Sequence, residues 1–487
     1  MKLTPGESVS QTVTAQVREG ADTVVAGGGT AGVVAAIAAA RTGATTLLVE
    51  RRDFLGGMMT GGNAGLTLST VYDRRPAEYR KIVARLAADP ASVQIVGGIP
   101  LEIMERLIAA GAALGTSGTA GSYVVASSAD FKCLLLEMMA ESGVRLLLHS
   151  VVVDVMKDGV AVQGLVVENK SGRQIIPGRV VVDATGDGDV AARAGAAFIV
   201  GVGPDDLCAR AGFPIGHTHG MGVMFRVGNV NVERLLANLR QNPAQFVMQP
   251  VAQMDLDEAC GSIERDETAC FEISFGGMLH HVYTSPNPGV LTILCRTVPC
   301  GGLDVDDLTR AELVMIRNVR DQFAMLRQLP GFEHAFLLDL PEIGVRETRH
   351  VQGEYRLTVG DILDRREFDD TIGRGAHPID IGKLPEELRK ASTEDHWYFN
   401  MPYRCLVPHG VDNLLLAGRC ISATHEASGC TRPTVQCMIT GQAAGTAAAL
   451  CVAAGIAPRQ LDFHQLTEKL AQDGVLCPGR EQKGKER

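Results

Sequence analysis

Thr23-Val-Val-Ala-Gly27-Gly28-Gly29-Thr30-Ala31-Gly32 opens a stretch that runs through an alanine-rich segment to Thr42 and ends in Thr45-Thr-Leu-Leu-Val-Glu50. Strand, Gly-x-Gly-x-x-Gly turn, helix, second strand and terminal acid follow in the order of a dinucleotide-binding βαβ unit. Gly27 permits the tight turn. Gly29 lets the N–H groups at the helix start, those of Thr30 and Ala31, approach a pyrophosphate, and Gly32 lets helix and strand pack closely. Glu50 is placed to accept from a ribose hydroxyl. A glycine triplet alone is an ordinary turn; its register with the two strands, Gly43 and Glu50 gives it meaning.

The next residues, Glu50-Arg51-Arg52-Asp53-Phe54-Leu55-Gly56-Gly57-Met58-Met59-Thr60-Gly61-Gly62, hold two glycine pairs where backbone has to lie against a ligand. Arg51 can cover the adenosine end, and Gly57, Met58 and Thr60 border the ligand. This loop resembles the one that enzymes of the glutathione-reductase-like fold run along FAD, which implies FAD rather than NAD. A second signal is Val180-Val-Val-Asp-Ala-Thr-Gly-Asp-Gly-Asp189, a strand delivering Ala184, Thr185, Gly186 and Asp187 to a loop. Its three carboxylates suggest Ca²⁺ or Mg²⁺ as a rival reading, but the rest of a calcium loop is missing, and no metal is expected.

The chain has 487 residues, enough for two lobes, and carries 56 acidic against 46 basic side chains, a formal charge of −10. That balance disfavours nucleic-acid binding. Neither a secretory signal nor a membrane helix is read, and the twelve cysteines lack metal-type pairing, so a reduced, cytoplasmic protein is expected. The sequence sets no oligomeric state.

Helical spacing marks 77–114. Asp130 is a candidate cap for a helix over 131–142. Short β-patterned runs follow at 144–148, 151–155, 160–167 and 179–183. Thr309-Arg-Ala-Glu312 reads as a capping box for a helix running to about Leu329. Asn413-Leu-Leu-Leu-Ala-Gly418-Arg419 is a closing strand, and Pro433 opens a helix through Gly441, Gln442, Ala443 and Gly445.

Together with Gly27-x-Gly29-x-x-Gly32 and Leu55-Gly-Gly57, the motifs at 183–189, 415–422 and 440–445 resemble the FAD-dependent oxidoreductase family related to succinate dehydrogenase and fumarate reductase flavoproteins. The resemblance spans about residues 20–455. It implies an α/β fold: a glutathione-reductase-type, Rossmann-like FAD-binding domain with a β-meander, plus an inserted α+β substrate domain. The expected division is 1–20 extension, 21–200 FAD domain with a helical insertion near 75–125, 201–395 substrate domain, 396–460 closing FAD segment and 461–487 tail. It also implies that backbone near Val152 meets adenine, that Gly418 lies against the ribityl chain, and that the helix after Pro433, with Gly441, Gln442 and Ala443, turns its positive end toward the flavin. Arg419 stands where the family often has an acid, which removes the expected side-chain contact to the ribityl hydroxyls.

Three clusters are candidates for the chemistry: Ser422–Arg432 with His425 and Arg432, Gly344–His350 with Arg346 and Arg349, and Trp397–Arg404 with Tyr403. His425 is equally a packing residue or an acid–base group, and Arg346 and Arg349 are equally internal partners of Glu347 or Glu342. His217 and His219 show no companion ligand. The expected activity is hydride transfer between flavin N5 and a small organic substrate, with the arginines pointing to an anionic one, by a dehydrogenase, oxidase or ene-reductase. The alternative is an FAD enzyme with no net redox change, an isomerase or hydratase. With no second dinucleotide unit, the electron partner is expected to be something other than NADH or NADPH.

Overall fold

In the computed structural model, residues 8–10, 12–64, 95–114, 127–248, 255–265, 268–381 and 398–476 are described. Residues 77–94 of the helical stretch expected over 77–114, the glycine run at 115–121, Trp397 and the tail beyond 476 lie outside them.

Val24, Val25 and Ala26 are wholly buried because their strand, Ala21–Ala26, lies inside a parallel layer. Thr46–Val49 pairs on one side, with Val24 opposite Leu47, and Gly172–Asp183 on the other, with Val24 opposite Val181. Arg145–Leu147 and Leu414–Leu416 extend the layer at its two edges. Strands enclosed on both sides read as continuous apolar runs, which is why these segments show no alternation. The first half of Gly172–Asp183 instead pairs antiparallel with Ala161–Asn169, which pairs with Val151–Asp158. One long strand thus joins the parallel layer to the expected meander.

The helix Thr30–Arg41 lies against Thr434–Ala454, which follows Pro433 and ends at Gly455 with a φ of 66°. Glycine is required at the crossing. A Cβ at Gly441 would stand 2.2 Å from the Ala31 carbonyl oxygen, and one at Gly445 2.0 Å from that of Ala35. Thr434–Ala454 is long and apolar enough to cross a membrane, contrary to the sequence reading, yet 83% of its apolar stretch is buried inside the protein. Its hydropathy is that of a core helix.

A second, antiparallel sheet of six strands runs in the order Phe246–Val247, Cys270–Phe275, Met278–Thr284, Leu291–Leu294, Met224–Gly228, Phe336–Asp339. Its core extends only from Met221 to Ala335, narrower than the expected 201–395. Val202, Cys208 and the apolar residues from Val351 to Ile381 pack into the first core instead. The long helix here is Val305–Leu326, begun by Asp304, whose carboxylate accepts the Asp307 N–H. Thr309 therefore lies inside the helix, its hydroxyl turned back to the Val305 carbonyl, and caps nothing. Likewise Ser127, not Asp130, precedes the helix Ser128–Glu141.

Candidate active site

The glycines at 27–32 form a cradle whose shape follows from where a side chain would fit. Gly27 takes a φ of 96° with its α-carbon side against Ala184 and Thr185, so the two glycine-bearing loops abut. A Cβ on Gly32 would lie 1.8 Å from the Gly27 carbonyl oxygen, whereas one on Gly29 would meet no atom within 4 Å. Open space therefore faces the start of Thr30–Arg41, where no side chain caps the helix. Gly57 closes over this end, 3.0 Å from the Gly29 Cα by the same measure. Glu50, buried at the strand end, accepts the N–H groups of Gly28 at 2.6 Å and Arg52 at 2.8 Å. Ser150 donates its N–H to the Glu50 carbonyl, which brings the Val152 strand alongside. The cradle has the open backbone donors, lack of side chains and terminal carboxylate that a dinucleotide pyrophosphate and ribose require. Replacing Glu50 by alanine is expected to lower FAD retention during purification, read as the flavin-to-protein absorbance ratio; a parental ratio would refute the role.

A second constellation lies where the inserted sheet meets the closing segment. Glu347, 1% exposed, receives His425 Nδ1 at 2.8 and 3.0 Å, His350 Nε2 at 2.7 Å and the His219 backbone N–H at 3.0 Å. The His219 and His425 rings stack, centroids 4.4 Å apart and planes 18° from parallel. Asp206 fixes the His425 backbone by accepting its N–H at 3.1 Å. Arg432 pairs with Asp380 at 2.6 Å, and Arg346 and His377 act electrostatically on the same carboxylate. Arg432 Nε and His219 Nε2 are buried without a hydrogen-bond partner, His219 Nε2 lying 3.6 Å from Glu347 Oε2.

Burial pushes the Glu347 carboxyl up, but hydrogen bonds from His350 and His425 outweigh it and hold the group well below its usual range. Burial, reinforced by the Arg432 charge, pushes His219 down to about 3 from an ordinary 6.5. Between these two values the unfolded chain binds the proton that folded His219 refuses, so stability rises with pH across that window. Glu347 acts in the same direction, its contribution being lost on acidification. The melting temperature is accordingly expected to fall as pH drops below 6.5, and to fall less steeply in His219→Gln. Equal slopes in the two proteins would contradict the assignment.

The profile of the family described as FAD dependent oxidoreductase matches residues 22–470. The chain belongs to this family. FAD is therefore its cofactor and oxidoreduction its class of reaction. The fold is similar to that of a geranylgeranyl bacteriochlorophyll reductase-like protein from Thermoplasma acidophilum, at 13% identity over 93% of this chain and 83% of that one, TM-score 0.43. It is also similar to p-nitrophenol 4-monooxygenase from Pseudomonas putida, at 11% identity over 93% and 84%, TM-score 0.45, and to the myxobacterial chondrochloren halogenase, at 13% over 93% and 78%, TM-score 0.43. No curated protein matches the sequence.

In this FAD-dependent oxidoreductase, several residues expected at the cofactor also make contacts within the protein. The Thr60 hydroxyl bonds the Leu55 carbonyl of its own loop, and the Thr185 hydroxyl bonds Asp183 and the Asp189 N–H. Gln442 accepts the Ile99 N–H, tying the closing helix to the helix Ile99–Ala109. Ala443 is buried in that closing helix. Asp187 is engaged by Arg419 at 2.9 Å and by Thr348 at 2.8 Å, so Arg419 closes a bridge between loops. Gly186, with a φ of 82°, lies against the Arg419 guanidinium. Gly418, with a φ of 84°, donates its N–H to Thr440. Arg51 is exposed, and Met58 is half-buried with its methyl group against Gly344 of the inserted segment.

Of the five candidate catalytic residues, His425, Arg346 and Arg432 share one charged cluster. Arg349 instead pairs with Asp189 at 3.0 Å and lies over the Phe198 ring, and Tyr403 is buried with its hydroxyl on the Pro458 carbonyl at 3.0 Å. The Tyr403 hydroxyl is thereby engaged, whereas Arg349 is engaged through Nη1 and its Nε is buried without a hydrogen-bond partner. The companions missing for His219 prove to be Glu347 and His425, whose ligand atoms all lie within 4.8 Å of its own. Hydrogen bonding explains the group better than an ion does. Two nearly parallel rings cannot both aim an in-plane lone pair at one metal, and the 2.8 and 3.0 Å contacts of His425 Nδ1 to the carboxylate are hydrogen-bond lengths.

Proposed function

We propose that this oxidoreductase transfers a hydride between a small anionic organic substrate and flavin N5, with His425 as the group that gives or takes the accompanying proton. The observation that carries the reading is His425 itself: Nδ1 is held by a buried carboxylate while no described residue bonds Nε2. A histidine oriented through one nitrogen and open at the other suits general acid–base work. Bound FAD supplies the hydride acceptor or donor.

Arg346 and Arg432, arranged around Asp380, hold the substrate's negative charge, with the buried unpartnered Nε of Arg432 as one donor toward it. Arg52 pairs with Glu342 at 2.5 Å, and the Glu342 N–H donates to the Gly61 carbonyl, so the inserted segment is fastened to the glycine loop. That fastening ties the arginine-bearing segment to the glycine loop of the cofactor cradle. The electron partner is proposed to be other than NADH or NADPH, since the single Gly-x-Gly-x-x-Gly unit with flanking strand and helix is taken by FAD.

The test is anaerobic mixing of the purified holoprotein with matched carboxylate and neutral metabolites while flavin absorbance is followed from both the oxidised and the dithionite-reduced state. Saturable bleaching or reoxidation by carboxylates alone supports the reading. Turnover of a compound with no flavin spectral change, or rapid bleaching by NADH or NADPH, overturns it.

A further inference from the structure

We propose that Glu347 is the positioning residue of this site: by accepting the hydrogen bond of His425 Nδ1–H it fixes one tautomer and leaves Nε2 as the nitrogen that exchanges protons with substrate. The inference rests on the reading of His425 as the acid–base group, and adds a residue that the sequence offered only as an ion-pair partner of arginines.

An ionised carboxylate only accepts hydrogen bonds, so each nitrogen that meets it has to carry a hydrogen. The His219 backbone N–H, which cannot do otherwise, already occupies Oε2 at 3.0 Å. His425 Nδ1 reaches both oxygens and His350 Nε2 reaches Oε1. A neutral imidazole has a single N–H, so His425 is Nδ1–H with its lone pair on Nε2, and His350 is Nε2–H.

The ring has little freedom to choose otherwise. Its backbone is held by Asp206 at the N–H and by the Ser428 hydroxyl at the carbonyl, 2.7 Å away, and the His219 ring lies flat against it. The other charged or titratable groups around it are His217, whose ring meets it edge-on at 6.4 Å, Arg432 and Asp380 beyond His219, and Glu426, which is turned to the Cys208 N–H. Among the described residues Glu347 is the carboxylate that contacts the ring, and it therefore both orients His425 and stabilises the cation formed when Nε2 takes a proton.

The holoprotein labelled with ¹⁵N-histidine tests this without any substrate. Long-range ¹H–¹⁵N spectra, with His425→Gln to assign the signal, report which nitrogen bears the proton; a titration between about pH 5 and 9 reports proton affinity. The expected result is the Nδ1–H tautomer in the parent, and in Glu347→Gln a proton affinity at His425 lower by about tenfold or more, with FAD content retained. An Nε2–H tautomer in the parent, or an unshifted titration in Glu347→Gln, overturns the proposal. So does one equivalent of divalent metal in the purified protein whose chelation changes the His425 signals. Should Glu347→Gln not fold, the parent tautomer decides, with Glu347→Asp supplying the second titration. Failure of every substrate to bleach the flavin would refute the hydride reading and leave these spectra unaffected.

Discussion

His425→Ala is expected to slow substrate-dependent flavin bleaching by about 10²–10⁴-fold, the usual consequence of removing a positioned proton donor or acceptor. FAD content should remain near parental, because the hydrogen bonds of His425 run to Glu347, Asp206 and Ser428, outside the cofactor cradle. Partial restoration by added imidazole would identify the loss as one of proton transfer rather than of shape. The measurement is single-turnover absorbance under anaerobic conditions, and a half-reaction within a few-fold of the parent would end the assignment. Arg432→Ala should act differently, raising the substrate concentration needed for half-saturation, since the role proposed for its charge is to bind rather than react.

The second large effect separates two glycines three residues apart. Gly32→Ala puts a methyl group 1.8 Å from a carbonyl oxygen that belongs to the backbone and cannot swing aside. Overpacking of this kind costs about 1–3 kcal/mol or more, so both melting temperature and bound FAD should fall. Gly29→Ala meets no atom within 4 Å, and its φ of −75° suits any residue. The fold should survive, and FAD should still be lost, because the new methyl stands in the space before the helix start. Equal melting losses in the two variants, or full FAD content in Gly29→Ala, would show that the open space is not the pyrophosphate site.

The cradle was legible in the sequence because its constraints are local: a positive φ at Gly27, a missing side chain at Gly29 and a close approach at Gly32 fall within six positions. The meander and the closing helix were legible for a similar reason, with turns and a Pro433–Gly455 pair marking their ends. The histidine–glutamate constellation was not. Its members come from positions 219, 347, 350 and 425, and nothing in sequence spacing says that these meet; Glu347 sits between Arg346 and Arg349 and invites the wrong partners. His350 three residues beyond it was the one available hint. For Tyr403 and Arg349 residue type suggests a pocket wall, whereas what a hydroxyl or guanidinium is bonded to depends on distant groups, Pro458 and Asp189.

The crossing of Thr30–Arg41 with Thr434–Ala454 has a consequence for how the protein is made. Arg41 leaves the ribosome 393 positions ahead of Thr434, so at about 5–20 residues per second the first helix waits on the order of 20–80 s for the surface that covers it. During that interval Ala31, Ala35 and their neighbours present an unshielded apolar strip, and the nucleotide cradle lacks its backing. Pairings this remote along the chain also make spontaneous assembly slow. Nascent chains stopped before about residue 430 should therefore be held by chaperones and captured without flavin, and cofactor loading should begin only once the closing helix has emerged.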